Sequence, residues 1–240
     1  MSGRRSDGWR PLASALTYGL AGWLLLTGTA HASDLGATLK QLAPEADPHV
    51  LSIAASAMRC AEHHGQPDAD RLAVIDYSRA STQRRLWVFD LAKRRLLFKE
   101  WVAHGRASGA DKARFFSNVP ESHTSSLGLF RTLGSYYGHK GYALRLKGLE
   151  AGVNNNAYRR AIVMHGAKYA TPAFIHRVGR LGRSWGCPAI RPAVAKPLIN
   201  SLKDGQYIFA YYPKPSWIKH SEYLNCPAGD SSKLLADSRD

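Results

Sequence analysis

Three short runs set the architecture: Leu72-Ala-Val-Ile-Asp-Tyr77, Leu86-Trp-Val-Phe89 and Leu96-Leu-Phe-Lys-Glu-Trp-Val-Ala103. Each is rich in β-branched or aromatic residues, and turn-like or charged residues separate them, which is the pattern of strands. Residues 90–95 fit a hairpin connection between the second and third. Further strands are expected over 127–133, 142–146, 161–164 and 207–212, with Trp87, Phe89, Trp101 and Phe209 as core aromatics. A short helix fits 171–178, with Gly179 as its stop. Another covers part of 191–203, where Pro197 is expected to kink it or begin a new segment. Many strands without regular βα alternation predict a mixed, β-rich α+β fold with short peripheral helices.

On the N-terminal side, Asp47-Pro48 reads as an N-cap followed by proline at the first helical position. Val50, Leu51, Ala54, Ala57, Met58 and Ala61 then recur at helical spacing up to His64-Gly65, so residues 33–70 are expected to pack as a helical segment on a domain spanning 71–213. Residues 214–240 read as a polar, loosely held tail. The first 32 residues have the form of a signal peptide. Arg4, Arg5 and Arg10 precede an apolar stretch over 12–26, and Ala30-His31-Ala32 supplies the small-x-small cleavage pattern. The apolar run is shorter than a membrane span and is interrupted by Thr17, Gly19 and Gly22, so cleavage is expected over retention as an anchor.

The 240 residues carry 33 Lys and Arg against 18 Asp and Glu, a formal charge of +15. Loss of the leader removes three arginines and one aspartate and leaves +13. That balance favours an anionic partner. Export, and the lack of a basic helix or aromatic RNA motif, argue against nucleic acid. In an oxidising compartment thiols pair, and three cysteines leave one over. Cys60-x-x-His63-His64 has a metal-like look, but no second ligand cluster answers it, and no metal is expected.

The chemistry lies in Ile162-Val-Met-His165-Gly166 and, 18 residues beyond that histidine, Ser184-Trp-Gly-Cys187-Pro-Ala189. The first places His165 at the end of a buried strand. In the second, Gly186 lets backbone approach a substrate beside the thiol. A neighbouring imidazole activates a thiol by taking its proton, and the cysteine's own N–H can stabilise a tetrahedral oxyanion. Cys187 and His165 are therefore the candidate nucleophile and base of an acyl-transfer site. Cys60 and Cys226 remain as a candidate disulfide.

These residues resemble the signature of the L,D-transpeptidase catalytic domain family, the YkuD type. The resemblance runs from about residue 72 to 213. It is closest to the murein branch through Gly179-Arg-Leu-Gly-Arg-Ser-Trp-Gly-Cys-Pro-Ala189 and Tyr142-Ala-Leu-Arg-Leu-Lys-Gly-Leu149. It implies a β-sandwich or barrel, no organic cofactor, reaction with carbapenems, and carboxylate-rich peptidoglycan stem peptides as substrate in the periplasm or cell envelope. Ser126-Leu-Gly-Leu-Phe130 falls where the family has a cleft-lining strand. Two positions depart from the family pattern. Trp185 stands in place of histidine, and Pro188-Ala189 replaces the apolar-then-Arg or Asn pair after the cysteine. Ser184, Trp185, Gly186, Gly166, Arg183 and His139 are the remaining substrate-binding or oxyanion candidates, with Arg191 an alternative to Arg183 for a substrate carboxylate. The departures keep open a hydrolase (an L,D-carboxypeptidase or amidase) and a non-catalytic wall-binding domain. No membrane contact is expected after leader cleavage, and the sequence carries no signal for oligomeric state.

Overall fold

A computed structural model describes residues 32–226. The leader over residues 1–32 lies outside that span except for Ala32, and so does the tail from 227 onward. No helix among the described residues is long and apolar enough to cross a membrane.

The chain opens with two helices, α1 (Ala32–Leu42) and α2 (Pro48–His63). The α2 start follows from Asp47, whose carboxylate accepts the His49 N–H at 2.8 Å, with Pro48 giving up no intrahelical bond at the first position. Val50, Leu51, Ala54, Ala57, Met58 and Ala61 are all buried, which is the face that periodicity assigns to the core. Helix α1 falls in the stretch over 33–70 expected to be helical, although the periodic face read there belongs to α2. It packs Leu39 into the same core.

The rest is an eight-stranded sheet with peripheral helices. The strands are β1 (Arg71–Asp76), β2 (Leu86–Asp90), β3 (Arg95–Glu100), β4 (Gly128–Gly138), β5 (Gly141–Gly148), β6 (Val163–Gly166), β7 (Ala189–Ile190) and β8 (Tyr207–Tyr211). Their spatial order is β3-β2-β1-β8-β4-β5-β6-β7. Pairings are antiparallel except β1 with β8 and β6 with β7. Beyond β3 the chain leaves the sheet, and Ala103 bridges to Ala189 of β7, with N···O distances of 2.8 and 3.4 Å. The two ends of the sheet thus meet, and it nearly closes on itself, leaving the short β6–β7 edge as the seam. The fold is mixed α+β and β-rich.

Trp87, Phe89 and Phe209 are buried as expected. Trp101 is a correction: it sits half-buried at the edge, under the Arg84 guanidinium at 4.4 Å. Helix α3 (Pro172–Val178) starts at the Thr171 cap and stops at left-handed Gly179. Helix α4 (Pro192–Leu202) runs through Pro197 without breaking into two. Ala195, Leu198, Ile199 and Leu202 bury its inner face, and that packing outweighs the single hydrogen bond lost at the proline nitrogen.

The C-terminal segment also differs from expectation. Residues 214–226 are docked, not loose. Helix α5 (Pro215–His220) buries Trp217 against Phe209 and Tyr211, at centroid distances of 5.9 and 6.3 Å. Glu150, itself buried, accepts the Trp217 indole N–H at 2.9 Å and the Ser221 hydroxyl at 2.6 Å. Beyond α5, Cys226 is bonded to Cys60 of α2, with Cα atoms 5.9 Å apart.

Candidate active site

The seam between β6 and β7 carries both candidate catalytic side chains. His165 lies in β6 in register with Ala189 of β7, and its backbone N–H donates to Pro188 O at 3.3 Å. Its ring is fixed from behind. Nδ1 sits 2.9 Å from the Gly166 carbonyl, and because a carbonyl only accepts, Nδ1 carries the proton and Nε2 is left with its lone pair. Burial pushes the imidazole below its ordinary pKa. A neutral ring at pH 7, with one nitrogen unprotonated, is what a general base needs.

Cys187 is half-buried and is the free cysteine. Its sulfur accepts from the Val163 N–H at 3.5 Å and donates toward Ala161 O at 3.7 Å. The imidazole is not among its hydrogen-bond partners. Burial pushes the thiol pKa up, while the Val163 N–H and the charges of Lys140 and Arg160 pull it down. Among the described residues the backbone N–H of Cys187 donates to no backbone carbonyl and lies toward its own sulfur, a direction from which it can meet a developing oxyanion.

Ser184 organises the turn that presents the thiol. Its hydroxyl accepts the Gly186 N–H at 3.1 Å and donates to the Cys187 carbonyl at 2.6 Å. Both the hydroxyl and the Gly186 N–H are thereby bonded within the loop. Gly186 has φ +115°, and a Cβ there would lie 2.6 Å from Thr124 O. Glycine is required twice over, by dihedral and by space. Gly186→Ala is accordingly expected to destabilise the protein by about 1–3 kcal/mol and to cut turnover at least about tenfold by displacing Cys187. Thermal unfolding and steady-state kinetics on one preparation measure both.

Gly166 faces α4, where a Cβ would come 3.0 Å from that of Ala195. Its carbonyl holds the His165 ring. Arg183 donates to the carbonyls of Gly109 at 3.1 Å and Arg106 at 3.4 Å. Arg191 pairs with Glu100 through Nε at 2.7 Å and Nη2 at 2.5 Å. Arg191 is thus committed to a carboxylate, whereas Arg183 is exposed and bonds backbone carbonyls through Nη1. His139 is exposed in the β4–β5 turn. Its neighbour Lys140 is the residue of that turn whose charge reaches both His165 and Cys187. Trp185 is 67% exposed beside the nucleophile.

Several supporting residues carried no sequence signal. Ser125 Oγ accepts the Gly105 N–H at 3.0 Å and donates to Gly186 O at 3.2 Å, while its own N–H donates to Ser108 Oγ at 2.8 Å. Arg160 donates to Ser117 O, Ser126 Oγ, Ser122 Oγ and Thr124 O at 2.6–3.1 Å. It pins the segment against which Gly186 rests. Behind them a fully buried Arg85 donates to His104 Nδ1 at 2.7 Å. Burial, and then the Arg85 charge, pull His104 down to about 3, so it stays neutral while its carbonyl takes the Ser184 N–H at 2.9 Å.

A nearly closed β-rich sheet with a histidine and a glycine-presented cysteine at its seam defines a class of catalytic domain. The chain belongs to the L,D-transpeptidase catalytic domain family, whose model matches residues 42–211. No curated protein matches the chain. Similar solved structures include an L,D-transpeptidase from Mycobacterium smegmatis, at 16% identity and TM-score 0.38, covering 60% of this chain and 59% of that one. An L,D-transpeptidase from Stackebrandtia nassauensis stands at 12% identity and TM-score 0.36, covering 77% and 78%. The chain therefore spans about three fifths of the length of the first of these.

Proposed function

We propose that this domain is an exported cysteine acyltransferase that crosslinks peptidoglycan stem peptides through a thioester on Cys187. The observation that carries the proposal is the β6–β7 seam. There Cys187, whose thiol takes the Val163 N–H of β6, enters the strand that pairs with β6 at His165, and that imidazole is neutral with its Nδ1 proton fixed by Gly166. Family membership supplies the substrate class.

His165 Nε2 takes the thiol proton as sulfur attacks the carbonyl that follows the L-centre of diaminopimelate. The Cys187 N–H receives the oxyanion, and the C–N bond to the terminal D-amino acid breaks. That amine leaves with the proton held by His165, and a thioester remains. An amine from a second stem then attacks the thioester, the C–S bond breaks, and the proton lost by that amine returns the thiolate to a thiol through His165. In this structure the thiol rests on backbone groups, and it turns to the imidazole when substrate is seated, as apo catalytic contacts commonly do. Incubation of the mature protein with defined stem peptides tests the reading by product mass. A crosslinked dimer supports it. A hydrolysed peptide makes the enzyme a carboxypeptidase, and unchanged peptide leaves a wall-binding domain. Export is part of the proposal, and N-terminal sequencing of the mature protein should begin at Ser33.

His165→Ala is expected to lower kcat/KM by about a hundredfold or more, the usual cost of a positioned general base. The pH profile gives the sign. Burial holds His165 below its ordinary pKa, so wild-type activity is present at neutral pH and falls as acid protonates the ring. Without the imidazole the rate follows the thiol itself, whose pKa burial raises, and the rising limb moves to alkaline pH. Alkylation of Cys187 that shows the same pH profile in both proteins would remove His165 from the mechanism.

A further inference from the structure

Arg191 is paired with Glu100, while Arg183 and Arg160 donate to carbonyl and hydroxyl oxygens. Arg106 is a further arginine beside the nucleophile, and it has no carboxylate partner among the described residues. Arg106 opens a short 3-10 turn (Arg106–Ser108), and its backbone N–H donates to Ser184 O at 2.7 Å, which fixes it against the loop of Cys187. Its guanidinium lies 5.5 Å from the Trp185 ring, and Nη2 donates to His123 Nδ1 at 2.8 Å. The His123 and Trp185 rings are 5.0 Å apart. Among the described residues no carboxylate pairs with Arg106. His123 holds this place at φ +52°, a left-handed conformation uncommon outside glycine. The next residue, Thr124, presents the carbonyl against which Gly186 packs.

An exposed indole, a guanidinium against it and an imidazole thus form a cationic aromatic shelf two residues from the nucleophile. Trp185 stands at the position where the family pattern has histidine.

We infer that Arg106, Trp185 and His123 form a subsite that takes a free carboxylate of the acyl-donor peptide. A guanidinium matches a carboxylate with paired N–H donors. The Trp185 face and the His123 nitrogen hold the fork in place, so less side-chain freedom is lost when the anion arrives. Of the carboxylates a peptide stem carries, two flank the scissile bond, the C-terminal carboxylate and the side-chain carboxylate of diaminopimelate.

The inference rests on the acyl-transfer reading, and the test separates the two. kcat/KM is compared for a donor with both carboxylates free, one with a C-terminal carboxamide, and one with the diaminopimelate carboxylate amidated. Amidation of the recognised group is expected to cost wild type about tenfold, as loss of a charge-assisted pair at a partly exposed site does. In Arg106→Gln that ratio should fall toward one, and Arg106→Lys should retain part of it. Each ratio is taken within one protein, so a loss of folded enzyme cancels. The arm that shows the penalty identifies the carboxylate. No amide penalty in wild type, or an undiminished penalty in Arg106→Gln, overturns the subsite. If wild type turns over no donor, the acyl-transfer reading has failed, and the subsite is read from alkylation of Cys187 by iodoacetate relative to iodoacetamide. A ratio that drops in Arg106→Gln supports it, and an unchanged ratio overturns it.

Discussion

Cys187→Ala and Cys187→Ser are expected to abolish turnover, by at least about a thousandfold, while the protein stays folded. The thiol is half-buried, and its two hydrogen bonds are long sulfur contacts to Val163 N–H and Ala161 O. Losing them costs on the order of 1 kcal/mol, which a domain of this size tolerates. The chemistry has no such reserve. A serine hydroxyl at the same position is a far weaker nucleophile than a thiol and lacks its small neutral-pH anion fraction. Intact-mass analysis after exposure to a carbapenem should show one adduct on wild type and none on either variant. Substantial turnover by Cys187→Ala, or an adduct that persists in it, would falsify the assignment. Unfolding curves for the three proteins should nearly superimpose, which separates loss of reactivity from loss of structure.

How far the fold and site were legible depended on how local the signals were. The β1 and β2 runs declare themselves through Val74, Ile75, Trp87 and Val88, because each strand is buried along nearly its whole length. The two catalytic candidates were legible for the same reason. His165 ends a buried apolar run, and Gly186 marks a backbone that no other residue fits. What stayed hidden needs contacts far apart in sequence. Nothing near Arg160 shows that it would gather the carbonyls and hydroxyls of residues 117–126. Nothing near Arg191 shows that Glu100, 91 positions earlier, would claim it. Pro197 begins no new segment, because the burial of Leu198 and Ile199 holds α4 together across it. The segment after Pro213 looked polar because one tryptophan among charges is a weak periodic signal, yet Trp217 finds the buried Glu150 carboxylate.

That docked segment leads to the second large effect. Removal of the Cys60–Cys226 bond is expected to lower unfolding free energy by about 5 kcal/mol in the chain-entropy model, with about 2–5 kcal/mol common for native disulfides. The bond closes a loop of 166 positions, among the longest this chain can form, and so constrains the unfolded state more than a short loop would. Its Cα separation of 5.9 Å lies within the range that a disulfide spans. The folded state has other means of holding the segment: Trp217 in the core, and Glu150 binding both Trp217 and Ser221. The reduced protein should therefore keep α5 docked and its fold intact at 25 °C, with the loss appearing as a lower denaturant midpoint. His64 Nε2 lies 3.8 Å from the Cys226 sulfur, and with Cys60 this makes a three-ligand group. That is one ligand short of a closed zinc site, and two of the three sulfur and nitrogen donors are already committed to each other. The two arrangements give opposite results. A disulfide predicts one titratable thiol on unreduced protein and three after reduction in denaturant, with a midpoint that reductant lowers and a chelator leaves alone. Three thiols without reduction, or a midpoint that responds to chelator only, would overturn the assignment.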